Sequence, residues 1–196
     1  MNNKLDNLIK AFRLLPGVGK KTAERMAFHL LNMDEDRVNY FTKTIDDSYK
    51  NIRKCNNCGA YAEGDTCSIC LDDNRNKQVL CIVEDPKAVY LMENAGFYKG
   101  KYFVLNGLIS PIDGINPEDI GINDLIQRIK KDDVKEIILT IKNSVEGETT
   151  ALYLKEILKN TGIKITKIAS GIPFGADLDY IDDITLEKAL EERKEL

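Results

Sequence analysis

The stretch VLCIVEDPKAVYLMEN, residues 79–94, decides the reading of the fold. Residues 79–83 are an unbroken apolar run of strand length. Asp85 then suits a helix N-cap and Pro86 the first helical position, so a helix is expected over residues 86–94. The same strand-then-helix alternation continues downstream. Residues 102–105, 134–141 and 163–168 read as strands. Residues 125–131, 148–160 and 185–193 read as helices, and residues 107–121 and 171–183 as Gly/Pro-rich and Gly/Asp-rich connections. Strands alternating with helices predict a small, mostly parallel α/β sheet.

Upstream of residue 78 the pattern is different. Leu5, Leu8, Ile9, Phe12 and Leu15 fall at helical spacing, as do Ala23, Met26, Ala27 and Leu30. Helices are expected over 4–15 and 22–31, joined by Pro16-Gly17-Val18-Gly19. A third helix, 36–53, carries Val38, Phe41, Ile45 and Ile52 on one side. No internal repeat is evident.

The chain has 196 residues, 43% hydrophobic and 31% charged, enough to bury a core without disulfides. No apolar run approaches the roughly 20 residues of a bilayer span. The first ten residues lack a secretory hydrophobic segment. A cytoplasmic protein is expected. The net charge of −4 conceals an asymmetry: residues 1–53 carry ten Lys/Arg against seven Asp/Glu, and residues 78–196 carry fifteen against twenty-one. An anion-binding end therefore precedes an acidic one.

Cys55, Cys58, Cys67 and Cys70 form two CxxC pairs separated by eight residues. Four soft thiolates make the tetrahedral set that structural zinc prefers. Gly59 follows the second cysteine, where the turn calls for positive φ. Two disulfides or an iron–sulfur cluster are the alternatives, and a reducing cytosol opposes the disulfides. With all four positions filled, no place remains for a catalytic water, so the zinc is expected to be structural and to make residues 54–77 a rigid connector. Cys81 reads as a buried apolar residue. His29 is the one histidine, so no Ser–His, Cys–His or multi-histidine site can be built within one chain.

The segment Leu15–Ala23 has the layout of a helix-hairpin-helix. Gly17 and Gly19 let the backbone turn and place free amides at the start of the next helix, a natural phosphate site. Lys21 and Arg25 share a helix face and Lys20 lies beside them, able to neutralise phosphates without reading sequence. An ordinary turn between packed helices is the plainer reading.

Glu84 ends the strand over residues 79–83, and Glu146-Gly147-Glu148 follows the strand over residues 134–141. Function in parallel sheets gathers beyond the carboxyl ends of strands. Three carboxylates meeting there could take Mg²⁺ at Glu84, Glu146 and Glu148, which would support phosphodiester chemistry. A solvated acidic rim or a protein-docking surface is the alternative. The layout resembles the Toprim domain, whose catalytic versions usually carry Asp-x-Asp where this chain has Glu-x-Glu. No clear topoisomerase tyrosine stands among the eight tyrosines.

In order, LLPGVGKKTAERMAFHLL, CNNCGAYAEGDTCSICLDDNR, CIVEDPKAV, GLISPIDGINPEDIGI, VEGETTALYL and GIPFGADLDYIDDITLEKAL resemble the segments of the RecR family of bacterial recombination mediators over nearly the whole chain. The resemblance implies a multi-part α+β fold. Its parts are a helix-hairpin-helix DNA-binding domain (1–53), a C4 zinc finger (54–77), a Toprim-like α/β domain (78–172) and a C-terminal helical segment (173–196).

It also implies a ring-like homo-oligomer that binds single- and double-stranded DNA, works with RecO and RecF, and helps load RecA on single-stranded DNA at gaps. Such a protein would be a non-catalytic scaffold. By the same resemblance, Lys21 and Arg25 contact DNA, and Glu84, Asp85, Glu146 and Glu148 engage RecO. Ser170, Lys142-Asn143-Ser144 and Tyr102-Phe103 depart from the family's usual residues. The competing readings are a Mg²⁺-dependent Toprim nuclease or primase, and an adaptor that binds only proteins.

Overall fold

A computed structural model describes residues 3–169 and 171–193. Ser170 therefore lies outside the described residues, as does the end of the expected C-terminal segment, 194–196. The chain forms two compact units that part between Ile52 and Arg53.

The first unit holds α1 (Asn3–Phe12), α2 (Lys20–Leu31) and α3 (Glu35–Asn51). Asp34 caps α3, its carboxylate accepting from the Arg37 amide at 2.9 Å. Among its described residues, the unit fully buries only two apolar side chains, Ala23 and Ala27. Leu14, Phe28, Leu31, Tyr40, Phe41, Ile45 and Tyr49 stay exposed.

The second unit begins with a short antiparallel pair, β1 (Arg53–Lys54) and β2 (Tyr61–Ala62), then the one-turn helix α4 (Ser68–Leu71). The α/β part follows: β3 (Asn76–Val83), α5 (Pro86–Ala95), β4 (Gly100–Val104), α6 (Ile122–Asp132), β5 (Glu136–Thr140), α7 (Val145–Leu158), β6 (Lys164–Lys167) and α8 (Asp183–Glu191). The four long strands lie in the order β4-β3-β5-β6, and every pairing is parallel. After β4 the chain returns past β3 to place β5 on its other side. The strand order thus reverses between β3 and β5, and in such sheets a crevice opens beyond the strand ends at that point. Among the described residues, no helix is long and apolar enough to cross a membrane.

The two faces of β3 belong to different cores. Leu80 and Ile82 pack with Leu125, Ile129, Ile137, Leu139, Leu154 and Leu158 under α6 and α7. Cys81 and Val83 face the other way, with Tyr102, Val104 and Val89, and there they meet Cys55, Cys58, Ala60 and Cys67. The cysteine-rich segment is thus more than a connector, because it roofs one face of the sheet. Gly59 shows how closely it approaches. A Cβ on this residue (φ 76°) would lie 3.1 Å from the Val104 Cβ. The Val104 amide donates to the Cys58 carbonyl at 2.7 Å.

Several elements begin two or three residues earlier than their apolar patterns suggest, among them β3, β4, α6 and α7. β3 starts at Asn76 and β4 at Gly100 because polar residues extend the ladder. α7 starts at Val145 because Ser144 caps it, accepting from the Gly147 amide at 3.2 Å.

A polar cluster ties the base of the roof to α5. Arg75 Nη1 donates to Glu93 Oε1 at 3.0 Å and to the Gly100 carbonyl at 3.2 Å, and its other nitrogen bonds the second Glu93 oxygen. The buried Tyr102 hydroxyl donates to Glu93 at 2.7 Å. Burial alone would raise the Glu93 pKa, but the Arg75 and Tyr102 hydrogen bonds outweigh it and hold the carboxyl below its usual range. A lowered folded-state pKa stabilises the fold above the unfolded carboxylate value, and the contribution is lost as pH falls through the lowered value. Glu93→Gln is expected to cost about 1–3 kcal/mol at neutral pH, since it weakens the hold on a guanidinium and a buried hydroxyl. Its stability should also vary less with pH on the acid side than the parent's. Urea unfolding at neutral and acidic pH checks both.

Candidate functional sites

The zinc centre is assembled by local turns. The Cys55 amide donates to the Ala60 carbonyl at 2.7 Å and the Gly59 amide to the Cys55 carbonyl at 2.8 Å, which folds the first CxxC back on itself. Cys67 caps α4 and Cys70 lies on it, so one helical turn brings the second pair together. The Cys67 amide donates to Cys55 Sγ at 3.3 Å. All four sulfurs lie within 4.8 Å of one another, and Cys58 Sγ and Cys67 Sγ are 3.5 Å apart. A tetrahedron of Zn–S bonds of about 2.3 Å sets sulfurs roughly 3.8 Å apart, so the set fits zinc with small adjustment. None of the five cysteines is paired in a disulfide. Hydrogen bonds from Cys58 and Cys70 hold the Cys67 thiol well below its usual pKa. The zinc is structural, held by four protein sulfurs.

The hairpin takes the shape its glycines allow. Gly17 adopts φ 78°, and Gly19 is the extended N-cap of α2, with no side-chain cap on the helix amides. The first turn of α2 contains no acidic residue. Lys20, Lys21 and Arg25 are exposed, with Lys21 and Arg25 one turn apart. The arrangement presents free amides, the positive end of a helix dipole and three cations together. His29 is exposed near the far end of the same helix.

The acidic residues gather at the crevice between β3 and β5, but they do not converge on one point. Among the described residues, the four cysteines are the one group of three or more His, Cys, Asp or Glu side chains whose ligand atoms come together. Glu84 follows β3, and its Oε2 accepts from the Lys142 amide at 3.4 Å. Asp85 is spent capping α5, accepting from the Ala88 amide at 3.1 Å. Glu146 and Glu148 lie in the first turn of α7 rather than in a loop before it. The Ser144 hydroxyl, then the helix backbone, holds the Glu146 carboxyl below its usual range. Glu148 accepts from Lys167 Nζ on β6 at 2.5 Å, which lowers its pKa in turn, and Lys188 Nζ of α8 lies 3.9 Å away. Among the described residues the carboxylates of Glu84, Glu146 and Glu148, read as a possible Mg²⁺ set, are not brought together, and Glu148 pairs with Lys167.

Gly147 separates the two glutamates for a steric reason. A Cβ there would lie 2.0 Å from the Lys142 carbonyl oxygen. Sequence reasoning passed over Lys142, Ser144, Gly147 and Lys167 as site residues. Ser144, a favoured N-cap residue type ahead of the apolar run, carried the cap signal for α7. Nothing local in the sequence marks the pairing of Lys167 with Glu148, which spans two elements.

Cys67→Ser removes one ligand from a site that joins β1, α4 and the sheet roof. It is expected to release the zinc, lower the melting temperature and abolish stabilisation by added zinc. Metal analysis and thermal melts with and without a chelator check this. A variant that melts like the parent would count against the structural zinc.

Comparison with known proteins gives an independent assignment to each part. A model of the RecR helix-hairpin-helix matches residues 5–48, and one of the RecR four-cysteine zinc finger domain matches residues 52–72. A Toprim domain model matches residues 78–169 and a RecR C-terminal model residues 171–194. The Recombination protein RecR of Staphylococcus aureus strain MRSA252 is 48% identical over 192 residues, covering 98% of this chain and 97% of its own. The protein of the same name from strain JH9 matches at the same identity and coverage. With its hairpin, four-cysteine finger and Toprim sheet in that order, this chain belongs to the RecR family of recombination proteins.

Proposed function

We propose that the chain is a non-catalytic mediator of recombinational DNA repair in the cytoplasm, holding DNA on its hairpin and a protein partner on its Toprim crevice. The observation that carries this reading is the uncapped α2 N-terminus, with Gly17, Gly19, Lys20, Lys21 and Arg25 around it. Such a site neutralises phosphates and makes no demand on bases, so it suits single- and double-stranded DNA alike. The working parts are residues 1–53 for DNA, 54–77 for the zinc finger, 78–172 for the Toprim domain and 173–196 for the C-terminal segment.

One hairpin offers few phosphate contacts, so affinity requires several hairpins in one assembly. A homo-oligomer, closed as a ring, answers this need. The apolar residues left exposed on the first unit support it. A unit of about fifty residues that buries two alanines cannot balance its own chain entropy, and a second copy would supply the missing core.

In this reading Glu84, Asp85, Glu146 and Glu148 form the docking face for RecO, and RecF acts with the same assembly to load RecA onto single-stranded DNA at gaps. The lysine paired with Glu148 supports docking over metal catalysis. A cation already fills the place a Mg²⁺-binding carboxylate would need to leave open.

Two measurements test the proposal. Replacing Lys21 and Arg25 by Glu together is expected to weaken DNA binding. The slope of log affinity against log salt should also become shallower, by about one for each phosphate that is no longer neutralised. Binding unchanged in both affinity and salt slope would remove the hairpin from the DNA path. End-labelled single- and double-stranded DNA incubated with the protein and Mg²⁺ or Mn²⁺ is expected to stay intact on a denaturing gel. Cleavage that disappears with Glu84→Gln would make the Toprim site catalytic instead.

A further inference from the structure

Two buried cations of the α/β part reach the zinc finger. Arg128, on α6, is only 8% exposed. Its Nε is pinned by Asp132 Oδ2 at 2.6 Å, one turn further on. Its Nη1 donates to the Asn57 carbonyl at 3.0 Å and to Cys70 Sγ at 3.7 Å. Lys101, on β4, is 4% exposed. Its Nζ donates to the carbonyls of Ile69 at 2.7 Å, Cys70 at 3.2 Å and Asp72 at 2.6 Å.

Burying two cations is expensive unless charge of the other sign lies nearby. Asp132 answers part of the Arg128 charge, and the hydrogen-bond partners of Lys101 are carbonyls. Four thiolates around one Zn²⁺ carry a formal charge of about −2, which the guanidinium and the ammonium would offset in part. The contacts also fall unevenly. Cys55, Cys58 and Cys67 are buried, and Cys70 is the partly exposed member of the set. Cys70 receives both cations, Arg128 on its sulfur and Lys101 on its carbonyl. Groups that hydrogen-bond a metal's ligands fix their orientation and basicity, and losing one typically costs about 10–100-fold in metal affinity.

We propose that Arg128 is a positioning residue of the zinc centre. Its fork, fixed by Asp132, holds Cys70 Sγ in the ligating position and offsets the thiolate charge, while Lys101 secures the backbone of the same cysteine. Retention of zinc then depends on α6, an element that follows the finger only after β3, α5 and β4.

The test uses the full chain, zinc-loaded, in competition with a chromophoric chelator. Arg128→Met is expected to hold zinc about 10–100-fold more weakly. Arg128→Lys, which keeps the charge and loses the fork, should fall between it and the parent, as should Asp132→Asn, which weakens the tether on the fork to a neutral hydrogen bond. Iodoacetamide labelling of the zinc-loaded chain, read by mass spectrometry, should reach Cys70 first and do so faster in Arg128→Met, with Cys55 little changed.

Parent-like chelator competition and Cys70 labelling in Arg128→Met would overturn the proposal, even if its melting temperature falls, and would leave Arg128 a packing residue. If Arg128→Met does not fold, Arg128→Lys and Asp132→Asn carry the test, and parent-like zinc retention in both overturns it. Zinc content of the parent is measured separately, so a failure of the zinc assignment itself is distinguishable.

Discussion

The second unit depends on one interaction, the packing of the four-cysteine segment against the face of the sheet that carries Cys81, Val83, Tyr102 and Val104. Parallel sheets need cover on both faces. Here α6 and α7 cover one face in the ordinary way. On the other, α5 covers only part, and the segment from Cys55 to Cys70, with almost no secondary structure, covers the rest. Such a segment lacks the apolar area to fold by burial. Four sulfurs gathered on a metal supply the order that burial cannot.

The fold was largely legible because its signals are local. The run at residues 79–83, the Asp85-Pro86 start of α5 and the paired CxxC spacing each have a short-range physical cause, and each is found in place. The early starts of β3 and β4 were not legible. Asn76 pairs with Gly100 across an irregularity that runs to Leu80, and this early backbone pairing is nothing a hydrophobic pattern reports. Lys101 is the sharpest case, a lysine on a strand with its ammonium sunk among three carbonyls.

The candidate sites divide in the same way. The zinc ligands and the hairpin residues are each close together in sequence, and their geometry follows from turns of a few residues. The acidic crevice is made by the strand order, so its pairings lie between distant elements. Glu84, Glu146 and Glu148 lie beyond the carboxyl ends of β3 and β5, where the strand-end pattern expects them. It could not foresee that Lys167 would claim Glu148, or that the Lys142 carbonyl would forbid a side chain at position 147. In three dimensions the Glu146-Gly147-Glu148 segment is a capped helix start with one carboxylate paired to a lysine.

The hydrogen bond from the Val104 amide to the Cys58 carbonyl has a consequence of another kind. β4 is an outer strand of the sheet, and all five of its residues are buried. An outer strand of that kind is a template for a strand from another molecule unless something blocks it. At the opposite margin, β6 begins and ends with Lys164 and Lys167, which discourage such pairing. The one lysine of β4, Lys101, is turned inward, so the finger itself is the guard on that side. Loss of the metal would therefore do more than soften one module. It would uncover a ready-made site for cross-molecular strand pairing, so the finger protects the chain from aggregation as well as holding its shape.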